Sequence, residues 1–129
     1  LAAGVPLTVE GRGGPITAEP FAVEHGPGYT ALGFRFGPLA YLPDVSAIPP
    51  EAMAAMADLD VLILDCLRET PHPSHFNLSQ SLAAIEALRP RRAVLTDLHV
   101  DLDYASLSSR LPPNLEVAHD GLRITVEDG

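Results

Sequence analysis

Val61-Leu-Ile-Leu-Asp65 is the stretch whose reading decides the fold. Four apolar residues in succession leave no side of the segment for water. It therefore reads as a strand covered on both faces. Downstream, Asn77-Leu-Ser-Gln80 has the spacing of a helix capping box. Leu78, Leu82, Ile85 and Leu88 then fall on one helical face. Pro90 stops that helix, and Ala93-Val-Leu-Thr96 is a second buried strand. Upstream, Pro49-Pro50 precede a short helix over Glu51-Ala-Met-Ala-Ala-Met-Ala57. Proline suits a first helical turn, and Glu51 suits the positive helix start. Asp103 caps a third helix running to Arg110, which Pro112-Pro113 ends. Leu115-Glu-Val and Leu122-Arg-Ile-Thr-Val126 read as a closing hairpin around Asp120-Gly121.

The first third of the chain has a different pattern. Pro6 to Glu10, Ile16 to Glu24, Tyr29 to Phe36 and Leu39 to Leu42 are strand-like runs. Gly11-Arg-Gly-Gly14, the turn at Gly28 and Gly37-Pro38 separate them. They predict an antiparallel β-meander. The order is then β-meander, αβαβα and a final hairpin. This is an α/β class fold, one mixed sheet with helices on one face. Its other face needs cover, and a second, similar layer is the expected cover.

A chain of 129 residues is long enough for one domain with a hydrophobic core. No apolar run approaches the roughly 20 residues of a membrane span. The net charge is −9, and all eight basic residues are Arg. Such a surface repels phosphate backbones at long range, which argues against broad nucleic-acid binding. The Arg-only, Ala/Pro-rich composition is associated with GC-rich bacterial genomes. The single Cys66 excludes an internal disulfide framework, fits a reducing cytoplasm and reads as a core hydrophobe. Leu1-Ala-Ala-Gly-Val-Pro lacks an initiator Met and the basic region of a signal peptide. The expectation is a piece processed or excised from a longer protein.

The chemistry lies just past the strands. His25 follows Phe21-Ala-Val-Glu, and Asp44 follows Leu39-Ala-Tyr-Leu-Pro. His72 and His75 follow Val61–Asp65 by a longer loop, and His99 follows Ala93–Thr96. Each alone is a surface or turn residue. Together, at four strand ends on loops a sheet can aim, they predict a metal site of imidazole and carboxylate. One aspartate can bridge two ions roughly 3.5–4 Å apart, which share a hydroxide nucleophile for phosphoester hydrolysis. A further histidine can give a proton to the leaving oxygen. His119 reads as a surface residue. Most of Asp97, Asp101 and Asp103 read as solvated or helix-capping. Ser74 lacks a Gly-x-Ser-x-Gly elbow, and Gly11-Arg-Gly-Gly14 lacks the spacing and the Lys of a phosphate loop.

Four segments carry a family resemblance. They are Val23-Glu-His25-Gly, Phe34-Arg-Phe-Gly-Pro-Leu-Ala-Tyr-Leu-Pro-Asp44-Val-Ser, His72-Pro-Ser-His75-Phe and Leu95-Thr-Asp-Leu-His-Val-Asp-Leu-Asp-Tyr104. From about Pro6 to Val126 the chain resembles metallo-β-lactamase-fold hydrolases, in the branch of phosphoribosyl 1,2-cyclic phosphate phosphodiesterase. The resemblance implies a four-layer αββα sandwich with two divalent ions, Zn or Mn. It implies His25 as a ligand of one ion, Asp44 as the bridge and His99 as a ligand of the second. It implies His75 as proton donor or substrate contact, with His72 as the other choice. Relatives read Thr-His-Leu where this chain has Thr96-Asp97-Leu98, so His99 or Asp97 takes the last position, and imidazole chemistry favours His99. The family's first motif, His-x-His-x-Asp-His, has no match here. The expectation is therefore the C-terminal half of a small-molecule phosphodiesterase, inactive alone, which associates with its missing half or as a homodimer. The alternative is a non-catalytic dimerising or partner-binding domain of the same fold.

Overall fold

The computed structural model describes residues 1–127. Seven strands form one sheet in sequence order, β1 Leu7–Val9, β2 Ile16–Glu24, β3 Thr30–Phe36, β4 Leu39–Leu42, β5 Val61–Asp65, β6 Arg92–Thr96 and β7 Leu115–Val117. Strands β1 to β4 pair antiparallel, which is the expected meander. Strands β4 to β7 pair parallel. Parallel neighbours need a crossover, and three helices supply it, α1 Pro50–Ala55, α2 Leu78–Leu88 and α3 Tyr104–Arg110.

Local chemistry starts and stops these helices as the sequence predicts. Pro50 opens α1. The Asn77 side chain accepts from the Gln80 backbone N–H at 2.9 Å, and the Gln80 side chain accepts from the Asn77 N–H at 2.9 Å. Two otherwise orphaned donors at the start of α2 are thereby satisfied. Arg89, in the left-handed conformation at φ 49°, ends α2 before Pro90. Asp103 caps α3 through the Ser106 N–H at 2.8 Å.

One face of the sheet makes the core. Phe21, Val23, Leu42, Leu62, Leu64, Leu95 and Val117 project into it, and Ala52, Met56, Ile85 and Leu107 cover it. Gly33 is required there, because a Cβ would lie 2.5 Å from the Phe21 ring. The opposite face carries Phe34, Tyr41, Ile63 and Val94 in one register row. Phe36, Leu39 and Val61 form the next row. No helix among the described residues covers this second face.

One expectation fails. The chain after β7 does not fold back as a hairpin strand, and residues 122–127 carry no regular structure. The three residues of β7 pair along β6, and Leu115 and Val117 enter the core. So short a strand offers little ladder on its outer edge. The alternating Leu122–Val126 pattern is real but pairs with no strand among the described residues.

Candidate metal centre

Two chain reversals separate β2 from β4, so these strands run the same way, and β5 and β6 run parallel to β4. The C-terminal ends of all four strands therefore share one edge of the sheet. His25 follows β2, Asp44 lies two residues past β4, Asp65 ends β5 and Asp97 follows β6. His72 and His75 lie on the loop between β5 and α2.

Ligand-type atoms of His25, Asp44 and His75 lie within 4.8 Å of one another. The same holds for Asp65, His75 and Asp97. His75 is the shared member, and its ring centroid lies 4.8 Å from that of His25 and 5.2 Å from that of His72. Its Nδ1 is 2.7 Å from Asp65 Oδ2, 3.3 Å from Asp97 Oδ2 and 3.9 Å from Asp44 Oδ1.

Backbone contacts brace these loops. The Glu24 N–H donates to the Ala47 carbonyl at 3.0 Å, and the Ser46 N–H donates to the Glu24 carbonyl at 2.7 Å. The Gly26 N–H donates to Ser46 Oγ at 2.8 Å. Gly26 has φ +93°, and a Cβ there would sit 3.2 Å from that of Ser74. This close approach lets His25 Nδ1 donate to the Ser74 carbonyl at 2.6 Å. A carbonyl oxygen can only accept, so His25 Nδ1 carries a proton, and in the neutral ring the lone pair is on Nε2, the tautomer of a metal-binding imidazole.

Asp65 is the residue that sequence reasoning missed. Its side chain is fully buried. Oδ2 accepts from the Val45 N–H at 3.0 Å and from His75 Nδ1, while Oδ1 has no partner. Burial pushes its carboxyl up to about 6, against the pull of the Val45 N–H and His75. The signal was present, since an acid closing the apolar run Val61-Leu-Ile-Leu must find partners if the strand is interior. Burial likewise pushes the neighbouring Cys66 thiol up to about 11, the state of an unreactive core cysteine.

The other expected residues divide. His72 Nδ1 accepts from the Ser74 N–H at 3.1 Å and lies 3.2 Å from Ser74 Oγ. Its imidazole is pulled below the ordinary value by lost hydration, then by the Arg68 guanidinium, then by His75 and His25. His99 is in neither donor group. Its side chain is 46% exposed, and its Nδ1 takes the Asp101 N–H at 3.3 Å. Asp97, in the left-handed conformation at φ 63°, stands beside His75 instead. His119 is exposed, as expected.

Comparison with known proteins bears on this geometry. Residues 1–97 match the family model of the β-lactamase superfamily domain. A crystallised diphosphatase of the PhnP family superimposes with a TM-score of 0.89 at 34% identity, over 98% of this chain and 48% of that one. The metallo-β-lactamase-fold protein YhfI from Bacillus subtilis gives 0.73 at 18% identity, over 95% of this chain and 53% of that one. Zn2+-bound PqqB from Methylobacterium extorquens gives 0.68 at 19% identity, over 98% and 55%. The last two likenesses are of fold alone. An octanoyltransferase from Porphyromonas gingivalis (strain ATCC BAA-308 / W83) is 29% identical over 116 residues, 88% of this chain and 23% of that protein. The chain thus spans about half the length of these solved structures and under a quarter of the octanoyltransferase.

Proposed function

Because the chain belongs to the β-lactamase superfamily, with its metallo-β-lactamase fold, we propose that it is one half of a metal-dependent phosphodiesterase for small substrates. The observation that carries this reading is the convergence of His25, Asp44 and His75 donor atoms within 4.8 Å at one sheet edge. The donors suit a divalent ion such as Zn or Mn in chemistry, and the His25 tautomer set by Ser74 suits it in protonation. His25 and Asp44 would hold metal, with Asp44 as the bridge if two ions bind. The last ligand position falls to Asp97 or His99, and the position of Asp97 beside His75 favours Asp97. The metal, when bound, would polarise a phosphoryl oxygen and acidify a water molecule at neutral pH.

His75 is the group we assign to proton handling. The ionised Asp65 carboxylate can only accept, so Oδ2, which also takes the Val45 N–H, accepts the His75 Nδ1–H and fixes the tautomer. Nε2 is then the His75 atom that takes up or gives a proton, and the Asp65 carboxylate stabilises the imidazolium that forms. The Val45 N–H also ties the Asp44 loop to Asp65. One buried carboxylate thus positions both the bridging aspartate and the proton carrier.

The chain's share of its relatives supports a half-enzyme reading, as does the second sheet face, where Tyr41 is exposed and Phe34, Phe36 and Ile63 are half-buried with no helix over them. A face of that kind favours association. We propose that the remainder of the hydrolase covers it and brings the missing ligands. The octanoyltransferase likeness supplies no acyl-transfer reading, since it concerns under a quarter of that protein.

The test is elemental analysis of this chain joined to a half carrying the missing ligand motif, together with nitrophenol release from bis(nitrophenyl) phosphate. The expected result is bound divalent metal and hydrolysis abolished by chelation. Metal-free protein, or no hydrolysis with either Zn or Mn, refutes the reading.

A further inference from the structure

We propose that Ser74 and Asp65 lock the neighbouring histidines into opposite tautomers. In their neutral rings His25 and His75 then keep Nε2 unprotonated, while His72 offers an Nε2–H donor that binds an uncharged oxygen on the alcohol part of the substrate. The second half of this proposal rests on the phosphodiesterase reading; the tautomers do not.

The tautomers follow from groups that can act in only one sense. The Ser74 carbonyl only accepts, so His25 must carry its proton on Nδ1. The Ser74 N–H only donates, so His72 must be unprotonated at Nδ1, and a neutral ring then carries its proton on Nε2. A single residue therefore sets two histidines in opposite senses through the two ends of its backbone. For His75, an ionised Asp65 can only accept, and its Oδ2 takes both the Val45 N–H and the His75 Nδ1–H. His72 is thereby removed from the metal-ligand set at Nδ1, and its Nε2 has a proton to donate.

A groove of about 610 Å³ adjoins the histidine cluster, lined in part by Tyr29, Ser46, His72, Gln80 and Glu24. Its polar groups are mostly neutral donors. Ser46 Oγ accepts from Gly26, which leaves its own proton free. Gln80 Oε1 accepts from Asn77, which leaves its amide N–H groups free. The groove has no cationic side chain, and Glu24 adds negative charge. A second phosphate is therefore a poor occupant. A hydroxyl or ether oxygen is a good one, since it accepts from His72 and can donate to Glu24. The groove is thus a specificity pocket for the alcohol that hydrolysis leaves attached to phosphate.

Two measurements test this. Long-range 15N–1H correlation NMR of the 15N-labelled, metal-free chain at neutral pH reads each tautomer directly. The expected pattern is Nε2–H for His72 and Nδ1–H for His25 and His75. An Nδ1–H on His72, or an Nδ1 without a proton on His25 or His75, overturns the proposal. The completed hydrolase is then assayed with nitrophenyl phosphodiesters of glycerol and of methanol. The glycerol ester should be preferred by about tenfold, through KM, the worth of one well-made hydrogen bond. H72F should erase that preference without changing metal content, and H72Q, which keeps an N–H, should restore most of it. Equal use of the two esters by the unaltered enzyme, or an undiminished preference in H72F, overturns the pocket. Failure to hydrolyse either ester refutes the phosphodiesterase reading instead, and leaves the tautomers to the NMR result.

Discussion

Asp65 makes the stability of the metal-free chain depend on pH in an unusual direction. Its carboxyl stands at an ordinary 3.8 when unfolded and at about 6 in the folded chain, because burial outweighs the Val45 and His75 hydrogen bonds. The folded state therefore binds the proton more tightly. Well below pH 3.8 the group is neutral in both states and carries no penalty. Between pH 4 and 6 the unfolded chain ionises first, so folding loses stability as the pH rises. Two pKa units at about 1.4 kcal/mol each give a loss of about 3 kcal/mol by pH 7. Asp65→Asn keeps the shape and removes the titration. Urea unfolding of both chains in EDTA, from pH 4 to pH 7, isolates the effect as a difference. The wild type should lose about 2 kcal/mol relative to Asp65→Asn across that range, the rest of the loss lying below pH 4. Adding His75→Ala to both chains should enlarge the loss, because His75 favours the charged form. A flat difference, or one in which the wild type gains with pH, refutes the reasoning. It would mean that the two hydrogen bonds outweigh burial.

Other substitutions test the rest of the site and its scaffold. His25→Ala should lower metal affinity in the completed protein by about 10–100-fold or more, read by equilibrium dialysis, since even the loss of a ligand's supporting partner costs that much. Asp97→Ala and His99→Ala compete for the last ligand position. Dialysis should show a loss of about tenfold or more for Asp97→Ala and little change for His99→Ala, and the reverse would return that position to His99. Asn77→Ala removes the cap of α2 and should cost about 1 kcal/mol in urea unfolding. Gly33→Ala should cost about 1–3 kcal/mol, because its Cβ would meet the Phe21 ring at 2.5 Å and Leu42 at 3.1 Å.

What the sequence made legible follows from the range of each interaction. Helix starts at Asn77 and Asp103 depend on side chains three residues from the groups they satisfy, and the start at Pro50 on its own ring, so local reading finds them. The antiparallel meander is legible for the same reason, since its turns lie between sequential strands. The closing hairpin had equally good local signals and still did not form. Its fate depended on β7 lying along β6, some twenty residues earlier in the chain. The site divides in the same way. His25, Asp44 and His75 stood out as candidates because ligand chemistry is written in residue type and in position after a strand, and the fold brings them together. Asp65 was hidden because its role is fixed by an amide 20 residues upstream and an imidazole 10 residues downstream. Choosing between Asp97 and His99 turns on where one left-handed residue aims two side chains, which no spacing reveals. A buried acid at the end of an apolar strand is therefore worth treating as a site residue before any partner is seen. Its burial is affordable only if other groups converge on it, and at the C-terminal edge of this sheet the groups that converge on Asp65 are the Val45 amide and His75, which shares a donor cluster with His25 and Asp44.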